Sequence, residues 1–413
     1  MYAYIGPHNE DTAMKRTVSF ALLSVLLPAS ALSSPWPRHV IDDTSRGADG
    51  VRLADINGDG RLDIATGWEE AGVIRVYIQP PQGKVRRPWP RVTVGRVGSP
   101  EDACFFDVNG DGVLDVISCC EGSTRTVFFH KAPRDRARLL DPSAWETKPF
   151  PATAGRAMWM FALPLQVDGR NGLDLVIGAK GRGASISYLA APRRRADLSA
   201  WKSRRLSNAG WIMSLEASDV DGDGDTDIIL SDRKGRERGV FWLENPGGGA
   251  TTPAALWARH PIGAVGREVM FLWVSKTREG RVSCLLATYK PYGIVRLTPL
   301  SSVRRLWEAT PVCYDPQGHT GTVKAVCEAD FNGDGRKEIA VTCEQAKGRR
   351  SGVFLLERRS RTGSWAIRDV SGPRGIKYDL VVPIDLDGDG DKDILTCEER
   401  QLNAVVWYEN PSK

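Results

Sequence analysis

Short stretches in which apolar and polar residues alternate recur along the chain, and they predict β-strands. Residues 51–54 alternate, residues 57–60 are polar and glycine-rich, and residues 62–66 return as a second apolar stretch. This order predicts a β-hairpin closed by an acidic turn. A third strand is predicted in every unit, at residues 72–78, 125–130, 185–190, 239–244, 293–298, 352–357 and 404–409. A fourth begins with tryptophan wherever the chain continues far enough, at Trp89, Trp145, Trp201, Trp257, Trp307 and Trp365.

The acidic turn is the clearest repeated element. The pattern Asp-x-[Asp/Asn]-Gly-Asp-Gly-x-x-[Asp/Glu] begins at Asp55, Asp107, Asp219, Asp330 and Asp385. Two weaker copies, at Gln166 and near Ser275, complete a series of seven units spaced by about 55 residues. A period of this size with strand-like content is typical of the blades of a β-propeller.

The order of strands at the two ends of the chain predicts how the ring closes. Trp36 heads a strand of the fourth type before the first hairpin, and the chain ends just after the third strand of the last unit. We therefore predict an all-β protein, a seven-bladed β-propeller of four-stranded antiparallel blades. It forms a single domain over residues 36–411, and residues 36–42 complete the seventh blade. A tandem array of small domains is the alternative, but it leaves the strand at Trp36 without a partner.

The acidic turns place oxygen ligands at positions one, three, five and nine of a tight loop, as Ca²⁺ prefers. An EF-hand also needs a carboxylate at position twelve, which none of these loops has. The predicted calcium ligands, about five sites, are Asp55, Asn57, Asp59, Asp63; Asp107, Asn109, Asp111, Asp115; Asp219, Asp221, Asp223, Asp227; Asp330, Asn332, Asp334, Glu338; and Asp385, Asp387, Asp389, Asp393.

These loops resemble the FG-GAP or VCBS repeats, the calcium-binding propeller blades also found in integrin α heads. The resemblance implies structural calcium. Two units depart from the pattern. In the third, Arg170 occupies a ligand position and is expected to neutralise Asp168 and Asp174. In the fifth, Ser275 and Ser283 replace the acids, so no ion is expected there.

Composition and targeting signals narrow the class further. Hydrophobic residues make up 41% and charged residues 26%, which excludes a disordered chain and a multi-span membrane protein. A net charge of +5 is too small to indicate nucleic acid binding. Residues 14–31 combine a basic start, a short apolar run and a small-residue cleavage site, which predicts a signal peptide and a secreted or periplasmic protein with no membrane span. We expect residues 1–31 to comprise an upstream segment and the signal peptide, with a mis-assigned start as the expected origin of residues 1–13. The spacing of the eight cysteines is not that of a disulfide scaffold, and Cys104 and Cys327 are expected in the core.

The face opposite the acidic loops is the predicted binding face. It collects the turns between second and third strands and the entrances to the blades, where binding residues usually lie. The expected ligand is a carbohydrate or an extracellular protein. Trp68, Trp159 and Trp211 either stack on sugar rings or belong to the core. The candidate ligand residues are Asp49, Trp68, Glu69, Glu70, Trp159, Lys180, Trp211, Asp232, Arg233, Lys234, Tyr289, Lys290, Lys377 and Glu398.

Enzymatic activity is the alternative interpretation. His319 is the one histidine predicted at a blade entrance, and a zinc site would combine it with Glu101, Asp102 or Glu268; these four are the catalytic candidates. His39 and His260 recur three residues after a tryptophan, which favours packing. Residues 47–51, 67–70, 159–163 and 210–216 faintly resemble the propeller domain of aldos-2-ulose dehydratase, whose cupin domains are missing here. That resemblance implies a metal-assisted sugar dehydratase. A flat interaction platform of integrin type is the third possibility, and the preferred interpretation is a non-enzymatic binding module.

Overall fold

A computed structural model describes residues 34–247, 256–277, 279–289, 292–359 and 364–412. All of them belong to one compact unit that spans Ser33–Lys413. The predicted signal peptide and Lys290 lie outside the described residues. None of the helices in the described part of the chain has the length and apolar character needed to cross a membrane.

The described residues form seven antiparallel sheets of four strands each, as the repeat predicts. The closing strand comes first in the chain, β1 (Arg38–Asp42). Blades 1 to 3 follow, with β2 (Ala48–Ala54), β3 (Asp63–Trp68), β4 (Val73–Tyr77), β5 (Arg91–Arg96); β6 (Pro100–Phe106), β7 (Asp115–Cys120), β8 (Val127–Lys131), β9 (Glu146–Pro149); and β10 (Met158–Leu165), β11 (Asp174–Lys180), β12 (Ser185–Ala190), β13 (Lys202–Asn208).

Blades 4 to 7 repeat the same order of strands. They contain β14 (Ile212–Ser218), β15 (Asp227–Asp232), β16 (Gly239–Glu244), β17 (Ala258–Gly263); β18 (Val269–Lys276), β19 (Val282–Tyr289), β20 (Tyr292–Thr298), β21 (Glu308–Pro311); β22 (Thr322–Ala329), β23 (Glu338–Glu344), β24 (Val353–Arg358), β25 (Trp365–Asp369); and β26 (Tyr378–Ile384), β27 (Asp393–Glu398), β28 (Ala404–Tyr408). Short 3₁₀ turns occur between third and fourth strands, at Gln82–Lys84, Arg136–Arg138, Pro142–Ala144 and Leu198–Ala200.

The ring closes between the two ends of the described chain. Strand β1 pairs with β28, with Val40 opposite Val406, and the sheet order is β1-β28-β27-β26. The prediction that an N-terminal strand completes the seventh blade is therefore confirmed. Closure matters because it removes the free sheet edges that an open array of blades would expose.

The tryptophans that precede the fourth strands connect neighbouring blades. The amide of Trp89 donates to the carbonyl of Ile41 on the outer strand of blade 7, at 3.1 Å, and the side chain is buried. Trp257 and Trp307 make the same bond to Leu206 and Ile262 of the preceding blade, and Trp36 makes it to Val370 at 3.0 Å. These four tryptophans are thus structural elements of the ring. Trp365, at the start of β25, is half-buried.

The remaining sequence expectations for the core are also met. The rings of His39 and His260 lie 4.5 and 4.6 Å from those of Trp407 and Trp242, and each histidine is 2.6 Å from a glutamate oxygen. Cys104 and Cys327 are buried, and all eight cysteines are free thiols. The fold therefore depends on strand pairing and apolar packing and uses no disulfide.

Candidate functional site

The acidic loops are bent around their first aspartate. Asp55 accepts hydrogen bonds from the amides of Gly58 and Gly60 at 2.6 and 2.8 Å. Gly60 has φ +84°, a conformation that other residues rarely adopt. The other four acidic loops repeat this pair of bonds at Asp107, Asp219, Asp330 and Asp385. These bonds between the aspartate carboxylate and the backbone amides contribute to the bent conformation of each loop.

In five of the units the acid at position nine fastens the loop to the end of the third strand. Asp63 accepts from the amides of Ile56 and Gln79, at 3.0 and 2.8 Å, and its side chain is buried. Asp115, Asp174, Asp227 and Asp393 make the equivalent two bonds. Burial raises the pKa of Asp115, Asp227 and Asp393 to about 7. Because Asp174 does this in the degenerate third unit, the position-nine acid has a structural role in addition to its predicted ligand role.

Two of the loops have side chains arranged to hold a cation. Carboxylate oxygens of Asp219, Asp221 and Asp227 lie within 4.8 Å of one another, and so do those of the equivalent acids of blade 7, Asp385, Asp387 and Asp393. The Oδ1 atom of Asp221 is buried and has no hydrogen-bond partner among the described residues. A buried carboxylate oxygen of this kind fits a hard divalent cation such as Ca²⁺.

The face opposite these loops carries a central cavity of about 280 Å³. The first component is a ring of residues at the end of each second strand, called here the outer ring: Glu69, Glu121, Lys180, Arg233, Tyr289, Glu344 and Glu399. Backbone bonds hold it in place, for example from the amide of Glu69 to the carbonyl of Gly47 at 2.7 Å and from Arg233 to Trp211 at 2.7 Å. Five of these side chains line the cavity, those of Glu69, Glu121, Lys180, Arg233 and Glu344.

A second ring lies at a register shift in every first strand. The pairs Pro100 to Cys120 and Asp102 to Cys119 leave Glu101 unpaired, and each of the other six first strands shifts register at the corresponding place. We call these residues the inner ring: Asp49, Glu101, Met160, Met213, Met270, Lys324 and Asp379. A β-bulge re-aims a side chain, and six of the seven line the cavity. The inner ring is charged on blades 6, 7, 1 and 2 and carries thioethers on blades 3, 4 and 5.

The charged half of the cavity is a paired network. The Nζ atom of Lys180 lies 2.9 Å from Glu101 and also contacts Glu121. Lys324 lies 2.9 Å from Glu399 and 3.4 Å from Asp379, and Lys377 contacts Glu399 as well. Lysine ammonium groups and carboxylate oxygens therefore lie close together in this half.

Burial controls the protonation of the acids. It raises the pKa of Glu101 to about 8, despite the neighbouring Lys180, and it raises the pKa of Asp49 well above the ordinary range, with further increases from Asp379 and Glu399. Burial also acts on Asp379, but Lys324 outweighs it and holds the pKa of that carboxyl below its usual value. The cavity therefore combines protonated and ionised carboxyl groups at neutral pH.

The apolar half adds aromatic rings. Phe161 and Phe271 meet edge to face with centroids 5.9 Å apart, and both line the cavity together with Trp211. The cationic groups of Lys180 and Arg233 lie 4.7 and 4.9 Å from the Trp211 ring. The indole N–H of Trp211 is buried and has no hydrogen-bond partner among the described residues. A donor of this kind is available to a ligand.

Most of the predicted ligand residues lie in or beside this cavity. Those that line it are Asp49, Glu69, Lys180, Trp211, Arg233 and Lys377. Lys234 is exposed, with its Nζ atom 4.7 Å from the Trp211 ring, and Glu70 is exposed nearby. Tyr289 is half-buried and its ring lies 4.6 Å from the guanidinium of Arg233.

Two of the predicted tryptophans are corrected by the structure. Trp68 is 0% exposed and donates to the hydroxyl of Tyr77 at 2.9 Å. Trp159 is 3% exposed and donates to the carbonyl of Thr153 at 3.2 Å. Both belong to the core between blades, so a sugar cannot stack on them.

Two of the predicted ligand residues are acids whose carboxylates accept hydrogen bonds from backbone amides. Asp232 accepts from the amides of Gly210 and Trp211, and Glu398 accepts from Ile376, Lys377 and the four amides that follow Glu399. Each is buried at the end of a second strand. Their role is to order the turns that carry the outer ring.

The four catalytic candidates are not gathered into one group. Glu101 lines the cavity, but Asp102 is buried 2.9 Å from Arg52 and Glu268 lies 3.9 Å from Arg233. His319 is exposed on the loop before β22. In the described part of the chain, the groups suited to a metal on this face contain carboxylates alone: Asp49, Glu69 and Glu101, and Asp49, Asp379 and Glu399.

Comparison with known proteins agrees with the loop geometry. Residues 55–118 and 318–396 match the model of the FG-GAP-like repeat. These segments of the chain are FG-GAP-like repeats. No curated protein matches the chain. A crystal structure of BBS1N in complex with ARL6DN, soaked with mercury, is 11% identical with a TM-score of 0.52, and the alignment covers 91% of this chain and 97% of that one. A luciferin-regenerating enzyme is 12% identical with a TM-score of 0.43, covering 81% and 99%. The first of these likenesses extends to the fold alone.

The FG-GAP-like repeats also explain which site residues sequence reasoning missed. Lys324, Asp379 and the three inner-ring methionines sit inside apolar strands, where a bulge cannot be read from alternation. Aligning the units on their acidic turns places six of the seven inner-ring residues six positions before the first residue of the turn. Met270 lies five positions before Ser275, because the turn between β18 and β19 is one residue shorter. That alignment is the signal that identifies them.

The wild-type protein is expected to lose stability as the pH rises from about 5 to about 8, and replacing Glu101 by glutamine should remove part of this loss. The pKa of Glu101 is about 8 in the folded protein and has a reference value of 4.5. Between these values the folded state holds a proton that the unfolded state has released, so stability falls as pH rises. Glutamine has no such proton, and the variant should melt several degrees above wild type near pH 8.

Melting curves across this pH range make the measurement. The control is Glu70→Gln, because Glu70 is exposed on the same face and its replacement should leave the wild-type profile unchanged. A Glu101→Gln profile that also follows wild type would show that another group titrates.

Proposed function

We propose that this chain is an exported, calcium-stabilised β-propeller that binds a carbohydrate in its central cavity. The observation that carries the proposal is the division of the inner ring, with thioethers and aromatic rings on blades 3 to 5 and paired charges on blades 6, 7, 1 and 2. A sugar has the same two-sided character, with C–H groups on one face of the ring and hydroxyl groups around it.

The contacts available in the cavity support this ligand class. The apolar half offers Phe161, Phe271 and Met213 to the C–H face, and the charged half offers carboxylates and ammonium groups to the hydroxyls. The buried indole N–H of Trp211 supplies a donor for a ring or hydroxyl oxygen. A protein partner would instead need a large, flat patch, and the residues here converge on a cavity of about 280 Å³.

Calcium and export complete the proposal. The acids of blades 4 and 7 would hold calcium between Asp219, Asp221 and Asp227 and their equivalents, where their oxygens already lie close together. A bound cation would neutralise carboxylates that otherwise repel one another. The signal-peptide pattern of residues 14–31 supports export, and the FG-GAP-like repeats are consistent with an extracellular setting.

Replacing Trp211 by alanine is expected to weaken binding of the cognate sugar by about tenfold or more. The variant loses both the indole donor and apolar contact area. Binding would be found by a glycan screen and measured by calorimetry. The matched control is Trp365→Ala, since Trp365 is also a half-buried tryptophan with an arginine over its ring but lies on the outer strand of blade 6. Equal losses in both variants, or none in Trp211→Ala, would contradict the proposal.

A metal-assisted sugar dehydratase is the second candidate, and Glu101 favours it. Its pKa of about 8 keeps this carboxyl protonated at neutral pH beside the carboxylates of Asp49, Asp379 and Glu399, which would hold a divalent metal. Such a site would remove a proton beside a carbonyl and protonate the departing hydroxyl, releasing water. Proton NMR of a keto-sugar incubated with the protein decides between the two: an unsaturated product lost in Glu101→Gln indicates the lyase, and unchanged sugar indicates the binding module.

A further inference from the structure

The face that holds the cavity is surrounded by exposed basic side chains. They lie on the blade entrances and on the turns between second and third strands, and we call them the basic rim: Arg46, Arg156, Arg182, Lys234, Arg236, Arg267, Lys347, Arg349, Arg350, Arg374 and Arg400. The exposed acids on the same described segments are Asp43, Glu70, Glu237 and Asp315. All but one of the basic residues belong to blades 3 to 7, so the positive charge is concentrated on one side of the face.

The side chains of the basic rim have no acidic partners among the residues that the structure describes. None of its eleven side chains forms an ion pair with another residue of the described segments. The opposite face also carries exposed basic residues without an ion pair, such as Arg87 and Arg193, but it holds the acidic loops as well. There Arg86 pairs with Asp387 and Glu409, and Arg304 pairs with Asp221 and Glu244. Unpaired charges of one sign around a cavity raise the local concentration of oppositely charged ligands.

The basic rim is continuous with the cavity. Lys234 and Arg233 both lie against the ring of Trp211, which lines the cavity, and Arg400 lines it directly. Inside the cavity, by contrast, Lys180 pairs with Glu121, and Lys324 pairs with Glu399 and Asp379. A ligand that enters from the rim therefore meets positive charge outside and a neutral, two-sided pocket within.

From this arrangement we infer that the carbohydrate is an anionic polysaccharide, bearing carboxylate or sulfate groups. Its charged units follow the basic rim of blades 3 to 7 while one sugar unit occupies the central cavity. This inference rests on the proposed carbohydrate-binding function and specifies its ligand. Arginine and lysine at exposed turns suit both anions, since guanidinium groups bind carboxylate and sulfate in a bidentate manner.

The test compares four probes on the full, calcium-loaded protein: an oligogalacturonate, a sulfated dextran, neutral dextran and a DNA duplex of matched charge. The rim variant is Arg236→Gln, Lys347→Gln, Arg349→Gln and Arg350→Gln together. The control carries Lys84→Gln, Arg87→Gln, Arg193→Gln and Arg194→Gln, four exposed basic residues on connections of the opposite face. Because none of these side chains is buried or ion-paired, both variants should melt as wild type does.

We expect at least one anionic glycan to bind, about tenfold or more weakly in the rim variant, and unchanged in the control. Affinity should also fall as the salt concentration rises from about 50 to about 300 mM. The carboxylated and sulfated probes distinguish the two anions. Neutral dextran that binds as tightly as the anionic glycans would overturn the anionic assignment, and so would a rim variant that binds as wild type does. The proposed function would still stand in either case if Trp211→Ala weakens binding. DNA bound as tightly as the glycans would overturn it as well. Failure of every glycan would instead refute the proposed function.

Discussion

Deleting the residues before Thr44 is expected to lower the melting temperature by about 15 °C or more and to make the protein aggregate. The deletion removes β1, the fourth strand of blade 7, and leaves β28 as a free edge. It also removes Ile41 and Trp36, which are 0% and 3% exposed in the closed ring. Burial of two such side chains contributes on the order of 5 kcal/mol.

The deletion also breaks a buried polar cluster. Asp42 accepts from the hydroxyl of Tyr77 at 2.9 Å and pairs with Arg75, and both partners lie in blade 1. Without Asp42, the Tyr77 hydroxyl loses its acceptor, and Arg75 loses its carboxylate partner and keeps only the hydroxyl of Thr44, at 2.9 Å. These losses in the seam between blades 7 and 1 add to the lost packing. The effect is therefore larger than the loss of one edge strand would suggest.

A chain that begins at Ser34 is the control, because it retains β1 and should melt as the longer chain does. Thermal unfolding and size-exclusion chromatography make the comparison. A synthetic peptide of residues 34–43, added to the shortened chain, should restore part of the lost stability by pairing with β28. A shortened chain that stays monomeric with an unchanged melting temperature would show that blade 7 is stable with three strands.

The fold could be predicted from the sequence because the same sequence elements recur from blade to blade. The acidic turn marks one end of the first hairpin, and the strand-heading tryptophan marks the seam with the preceding blade, as the bonds of Trp89 and Trp307 show. The early position of Trp36 then settles how the ring closes. The same repeat predicts which turns share a face, and this is why Glu69, Lys180 and Arg233 were identified as cavity residues.

The interior of the site was less readable for two physical reasons. Each first strand contains a bulge, and a bulge exchanges the inward and outward faces, so alternation did not show that Lys324 and Asp379 point into the cavity or that Trp159 points away from it. A buried acid at a strand end is equally ambiguous. From the sequence, Glu398 looks like a surface glutamate. Its carboxylate in fact accepts hydrogen bonds from backbone amides of the following turn, and the residue types in that turn do not predict its conformation.

Chelating divalent cations with EDTA is expected to lower the melting temperature by about 10 °C or more. Each acidic loop packs several carboxylates into one turn, and we expect a bound cation to offset their mutual repulsion. Restoring calcium should recover the melting temperature, and magnesium should do so less well, because it tolerates irregular geometry poorly.

Single substitutions locate the effect. Asp219→Asn, in a loop whose three acids already converge, should remove one calcium ion by native mass spectrometry and reduce the response to EDTA. Asp168→Asn is the matched control, since the third unit has Gln166 and Arg170 where the others have acids, and it should change neither. A melting temperature that ignores EDTA would mean that the bonds from the loop glycines to Asp55 and its equivalents are sufficient to hold the loops. The acids would then be ordering the turns in the way that Glu398 does, with no ion required.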